Sequence, residues 1–186
     1  MQKRTMQELN RLTVEEFKAA EKMPVVIVLD NIRSQNNIGS IFRTADAFRL
    51  EGIYLCGITA TPPHREIHKT ALGATDSVDW HYFTNTLEAV TDLVAGGYTV
   101  LAVEQAEGSI MLHDFRPATG TKIAIVFGNE VNGIDDEVLP QVSGCLEIPQ
   151  FGTKHSINVS VAVGMVIWDI FNKLNLLQDI QAPNQL

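Results

Sequence analysis

This chain is poor in the features that mark secreted, membrane-bound or phosphate-loop proteins. Cysteine occurs twice in 186 residues, at Cys56 and Cys145, within apolar, strand-like segments. That is too few for a disulfide framework, and buried free thiols in a reducing compartment are expected. The apolar run at 161–168 is interrupted by Gly164 and stopped by Asp169, far short of the ~20 residues that span a bilayer. The opening Met1-Gln2-Lys3-Arg4-Thr5 leads into polar sequence, so no secretion signal is expected and the cytoplasm is the default location. No Gly-x-Gly-x-x-Gly follows the first strand, where Asp30-Asn31-Ile32-Arg33 stands instead, which argues against a dinucleotide. Gly128 and Gly133 have P-loop spacing, but Ile134-Asp135 follows where Lys and Ser/Thr are required. His64 and His68 lie one helical turn apart without an evident third ligand, and Glu66 is misplaced for a zinc protease, so no metal is expected. His113-Asp114 has no Ser or Cys motif that would complete a triad.

What is present suits one globular domain with a full core: 45% hydrophobic and 19% charged residues in a chain of this length. The net charge of −8 disfavours a general nucleic-acid binder, but its distribution is uneven. Residues 1–76 hold ten Lys/Arg against nine Asp/Glu, and residues 77–186 hold four against thirteen. A polyanion would have to be met by the first half.

Periodicity predicts a polar amphipathic helix over 7–22, with Thr13 and Glu16 at capping-box spacing, as an N-terminal extension (1–23) to the main domain. The run Val25-Val26-Ile27-Val28-Leu29 is β-branched throughout, as in a strand buried on both faces. Asn36 or Asn37 then caps a helix to about residue 48. Further strands are expected at 53–56, 78–83, 99–103, 123–127 and 146–148, with helices ending near 72, over 86–95, from 135 and over 157–175. Strands alternating with helices predict an α/β fold: a mostly parallel six-stranded sheet covered on both faces.

Three stretches stand out. In Asn37-Ile38-Gly39-Ser40-Ile41-Phe42-Arg43-Thr44-Ala45-Asp46-Ala47-Phe48, residues 38, 41, 42, 45 and 48 form the buried stripe, with Arg43 off it and Asn37 at the mouth. In Val126-Phe127-Gly128-Asn129-Glu130-Val131-Asn132-Gly133-Ile134, a strand ends in a glycine-bounded loop bearing a carboxylate, where ligands collect in open parallel sheets. In Ile148-Pro149-Gln150-Phe151-Gly152-Thr153-Lys154-His155-Ser156-Ile157-Asn158-Val159, a turn delivers Ser156 and Asn158 to a helix start. Such residues cap helices, and helix starts also hold ligands through free N–H groups.

In this order, over about residues 24–176, the stretches resemble the three motifs of the SpoU branch of the SPOUT RNA methyltransferases. Lys69-Thr70-Ala71-Leu72-Gly73-Ala74 is similar to the family's basic element between the first two. Val131 departs from a second glycine, and Arg49 stands where Gly often follows Phe, which is expected to be surface variation. The resemblance implies a C-terminal trefoil knot, S-adenosylmethionine in the knotted loops and a homodimer packed through the terminal helix, beyond which 177–186 forms a tail. The terminal helix supports the dimer independently: Val159, Val161, Val163, Met165, Val166, Ile167, Trp168, Ile170 and Phe171 are apolar around most of its circumference, a pattern that a central core helix would also show.

By the same resemblance the nucleophile is a ribose 2′-hydroxyl of tRNA or rRNA, with catalytic residues Asn37, Arg43, Glu130, Ser156 and Asn158. The donor would contact Glu104, Phe127, Gly128, Asn129, Ile148, Ser156 and Ile157. A guanidinium stays protonated, so Arg43 is expected to clamp phosphate and stabilise developing alkoxide charge rather than act as base. Glu130 would hold either Arg43 or Asn37. RNA is expected across Arg33, Arg43, Arg65, His68, Lys69 and Lys154, with Lys3, Arg4 and Arg11 reaching out. Base methylation and a binding protein without catalysis are the rivals, and the small size leans towards tRNA.

Overall fold

The computed structural model describes residues 3–5, 8 and 10–174. Residue 7, the expected helix end at 175 and the 177–186 tail lie outside the described residues. The chain builds a seven-stranded sheet, β1 (Met23–Asp30), β2 (Leu50–Cys56), β3 (Trp80–Phe83), β4 (Thr99–Val103), β5 (Ile110–Met111), β6 (Ile123–Phe127) and β7 (Gly144–Glu147). All its pairings are parallel, in the order β3-β2-β1-β6-β4-β7-β5. The strand missing from the expected six is β5, two residues on the sheet edge, too short to leave a period-two signal.

The β-branched run in β1 is buried because both faces of the sheet are covered. Val25, Ile27 and Leu29 enter one core while Val26 and Val28 enter the other. The first core lies beneath α2 (Gln35–Ala47), α3 (Arg65–Ala71), α4 (Ala74–Ser77) and α6 (Val159–Lys173), and the second beneath α5 (Thr86–Ala95). The α2 stripe is buried as its spacing predicts, at Ile38, Ile41, Phe42 and Ala45, each aliphatic or aromatic side chain contributing ~1.5–3 kcal/mol on burial. Gly39 lets α3 approach: a Cβ there would meet Thr70 Oγ1 at 2.1 Å and the Ile67 carbonyl oxygen at 2.3 Å. The Thr70 hydroxyl donates to the Asn36 carbonyl at 3.0 Å, tying the two helices together.

Several boundaries differ from expectation. The helix expected over 7–22 contracts to α1 (Val14–Ala19), which begins at the Thr13–Glu16 capping box and buries only Phe17. Of the described residues before it, Leu12 is exposed and anchors nothing in the core. The cap of α2 is Ser34, whose hydroxyl accepts from the Asn37 N–H at 3.3 Å, rather than Asn36 or Asn37. That releases the Asn37 side chain for another partner. β3 begins at Trp80 rather than 78, and the helix expected from 135 is a 3-10 turn at Leu139–Gln141. Arg49 has φ +48°, a left-handed backbone that glycine adopts without steric cost, so this departure is more than surface variation.

Candidate active site

The carboxyl ends of β6, β4 and β7 open into a cleft of about 390 Å³, where ligands gather in parallel sheets. Phe127, Gly128, Leu146, Ile148, Ile157 and Val159 give it apolar walls, and Glu104 and Glu130 give it carboxylates. Among the described residues no Lys or Arg lines it. Gly128 is required by packing: a Cβ would sit 2.1 Å from the Gly133 carbonyl carbon. The loop closes on itself through paired backbone bonds between Asn129 and Gly133, and the Asn129 carboxamide oxygen accepts from the N–H groups of Val131 and Asn132 at 2.9 Å. Asn129 therefore shapes the cleft wall with its own side chain. Val131 has no left-handed φ, so this loop does not need the second glycine. The Glu104 carboxylate accepts from Gln105 N–H at 2.9 Å and from Ile134 N–H at 3.3 Å. Further lone pairs remain on its oxygens for a ligand.

The three sequence stretches meet at the cleft rim through side chains. Asn37 Nδ2 donates to Glu130 Oε1 at 3.0 Å, and Asn158 Nδ2 donates to Asn37 Oδ1 at 3.2 Å. Of the two partners open to Glu130, the one it holds is Asn37. Asn158 is also the cap of α6, its Oδ1 accepting from the N–H and hydroxyl of Ser160 at 3.0 and 2.7 Å. Capping and site-building thus fall to one residue, which spends its carbonyl on the helix and its NH₂ on the site. Ser156 is exposed and lines the cleft beside it. Burial pushes the Cys145 thiol up, with Glu104 adding to the effect, and burial pushes Cys56 up to about 12. Neither thiol lines the cleft, and neither favours its thiolate form.

The sequence model of the SpoU rRNA Methylase family matches residues 24–168. The chain belongs to that family. Its relatives include a Staphylococcus saprophyticus protein described as a TrmH family tRNA/rRNA methyltransferase, 30% identical over 89% of this chain and 66% of that one. Among solved structures it is similar to an AdoMet-bound rRNA methyltransferase from Sinorhizobium meliloti, with TM-score 0.76 and 26% identity over 85% of this chain and 60% of that one. It is also similar to a protein described through the 2-OH methylation of C/U34 on tRNA, with TM-score 0.71 and 26% identity over 82% and 99% of the two chains. The chain thus spans slightly less than two thirds of the first two.

Of the residues this SpoU-family chain was expected to gather, Arg43 stands apart. It is exposed on α2, and among the described residues it makes no hydrogen bond or ion pair. Six positions beyond Asn37, it lies ~9 Å along the helix and about 240° around it. The cations expected to meet RNA are likewise outside the cleft. Arg33 is exposed after β1, Lys154 in the loop before α6, and Arg65, His68 and Lys69 on α3, where Lys69 pairs with Glu66 at 2.7 Å. Among the described residues no three His, Cys, Asp or Glu side chains gather as a metal site.

Sequence reasoning missed the residue that holds the scaffold behind the site. Asp30, 1% exposed at the end of β1, accepts from Thr86 Oγ1 at 2.5 Å, Asn31 Nδ2 at 2.8 Å and Asp135 N–H at 2.8 Å. It joins the start of α5 to the loops that follow β1 and β6. An acidic residue closing an otherwise apolar strand was the available signal, since a carboxylate is buried only when its oxygens are satisfied. Gln105 was also missed: its Nε2 donates to the His155 carbonyl at 3.0 Å, fastening the loop before α6 across the cleft.

Proposed function

We propose that this chain methylates a ribose 2′-hydroxyl of RNA, with S-adenosylmethionine as the donor and tRNA as the favoured substrate class. The observation that carries the reading is the charge of the cleft, which among the described residues holds Glu104 and Glu130 and no Lys or Arg. A cofactor recognised through phosphates would be repelled there, whereas a sulfonium cation is favoured. The donor would supply an electrophilic methyl to an oxygen nucleophile held in line with it. The apolar walls and the backbone of Gly128, Ile148 and Ile157 suit its adenosine, with Glu104 accepting from ribose hydroxyls. The relatives described as AdoMet-bound and as acting on the 2-OH of tRNA support donor and nucleophile respectively.

The chain's own residues would orient the sugar and manage its proton. Asn37 and Asn158, locked to each other and to Glu130, present a fixed polar edge to the ribose, with Ser156 beside them. As the new O–CH₃ bond forms, the 2′-hydroxyl proton must leave, and Glu130 is the carboxylate nearest this edge with an oxygen unengaged among the described residues. Arg43 stays cationic and stabilises phosphate and developing alkoxide charge. It would do so at the cleft of a second copy. Val161, Met165 and Trp168 form an exposed apolar stripe on α6, 47%, 44% and 53% accessible, beside the helix that carries Arg43. A twofold pairing over that stripe suits a homodimer. The knotted connection belongs to the same reading, and the strand order, with β6 between β1 and β4 and β7 between β4 and β5, accommodates it.

The test is incubation of the protein with methyl-labelled donor and total RNA. Label that blocks alkaline cleavage of the adjacent phosphodiester is expected and marks the ribose oxygen. Label in released bases would replace this reading with base methylation. Donor bound without transfer would replace it with a binding protein.

A further inference from the structure

A second hollow of about 470 Å³ lies away from the cleft, between the loop before α3, α4 and the start of β3. Its chemistry differs from that of the cleft. Trp80 and the buried Ile67 supply an aromatic and an aliphatic wall, and His64, His68, Arg65 and Asp76 supply polar groups. His64 Nδ1 accepts from the Glu66 N–H at 3.2 Å, so its proton sits on Nε2 and that nitrogen donates. Arg65 and His68 are exposed at the rim. The volume falls within the ~300–1,000 Å³ of small organic ligand sites.

We infer that this hollow receives one unstacked nucleobase of the RNA, on the side of the target nucleotide that passes over α2 and α3. This rests on the RNA reading above and adds to it a second, base-holding subsite. Three observations converge. The indole gives a π-face on which any base stacks, while imidazole, carboxylate and rim guanidinium match a base edge inside and a phosphate outside. Asp76 disfavours a phosphate within the hollow, so the base enters and the backbone stays at Arg65. The position also fits. In the sheet order, β3 lies four strands from β4, which centres the cleft, a distance of ~19 Å at the usual strand spacing. Between them run α2, whose Asn37 belongs to the site, and α3, docked on α2 at Gly39. A strand with its sugar at Asn37 and Asn158 therefore crosses Lys69, His68 and Arg65 on its way to Trp80.

The probe is a fluorescein-labelled single-stranded hexaribonucleotide pool of mixed sequence, measured by anisotropy at fixed salt. Trp80→Leu, which keeps apolar bulk and loses the π-face, is expected to weaken binding about ten-fold or more, while Trp80→Phe stays within about three-fold. Unchanged affinity in a Trp80→Leu chain of native melting temperature would overturn the inference. The unaltered protein gives an independent reading through 4-thiouridine crosslinking: a crosslinked peptide containing Trp80 or α3 supports the subsite, and crosslinks confined to the cleft loops overturn it. Methyl transfer is measured in parallel. Transfer without the Trp80 or α3 crosslink removes the subsite alone, and the crosslink without transfer keeps the subsite and removes the methylation reading.

Discussion

The two hollows of this chain lie four strands apart across the sheet, one at the carboxyl ends of β6, β4 and β7 and the other beside the start of β3, and they differ in chemistry. One is bounded by Glu104 and Glu130 and, among the described residues, by no Lys or Arg, and the other is rimmed by Arg65 and His68 around a tryptophan. On the proposed reading, the difference keeps apart the two tasks of RNA methylation, holding the donor and holding the acceptor. A cationic donor and a polyanionic acceptor would each spoil a site built for the other. The acidic second half of the sequence encloses the first, and apart from Trp80 the near-neutral first half lines the second. Arg43 belongs to neither hollow in its own chain, which makes it the sharpest place to break the comparison. Arg43→Lys keeps the charge and loses the planar fork. Turnover is expected to fall ~10²–10³-fold, with donor and oligoribonucleotide affinity nearly unchanged by calorimetry. Mixing Arg43→Lys chains with Glu130→Gln chains should restore part of the activity if the two residues serve one cleft from two copies. Absence of rescue would return Arg43 to its own subunit.

The next effect falls on the acidic cleft itself. Glu104→Lys should weaken S-adenosylmethionine by roughly 100-fold, since a like charge brought into an enclosed site costs several kcal/mol. Glu104 also holds the Gln105 and Ile134 N–H groups, so part of the loss would come from loop disorder. S-adenosylhomocysteine, whose sulfur is uncharged, separates the two. A loss much larger for the sulfonium than for the thioether identifies charge, and equal losses would reduce Glu104 to a loop support.

Gly39 sets how closely α3, whose Ile67 walls the Trp80 hollow, approaches α2, which carries Asn37. Gly39→Ala puts a Cβ into Thr70 and the α3 backbone, so α3 must shift. A destabilisation of ~1–3 kcal/mol is expected, or about 2–4 °C in melting temperature per kcal/mol at this chain length. Binding of the oligoribonucleotide should suffer more than binding of the donor. This residue also illustrates what the sequence displayed and what it withheld. The buried faces of β1 and α2 were legible, because a continuous apolar run and a three-four spacing each have one structural meaning. The family motifs were legible because loop chemistry at glycines is specific. Neither Gly39's close contact nor the Asn37–Asn158 bond could be seen, as both join residues far apart in the chain, Asn37 and Asn158 by 121 positions. Ser34 took the cap expected of Asn36 or Asn37 for a similar reason: all three are competent caps, and tertiary demand on Asn37 decides among them. The two-residue β5 and the hollow at Trp80 needed neighbours brought by the fold.

The smallest expected effect tests whether the basic rim meets phosphate. Lys69 is exposed and paired with Glu66 at 2.7 Å, a surface ion pair that contributes little to stability. Its removal should leave the melting temperature alone. If it neutralises one phosphate, Lys69→Ala lowers the slope of log affinity against log salt by about 1 and weakens oligoribonucleotide binding a few-fold. Glu66→Gln acts in the opposite direction, because it removes a carboxylate that competes with RNA for the same ammonium, and binding should tighten slightly. Donor affinity, set inside a cleft that no Lys or Arg lines, should respond to neither change and hardly to salt. An ionic-strength dependence shared by donor and oligoribonucleotide would mean that the two hollows do not divide the charges as their linings suggest.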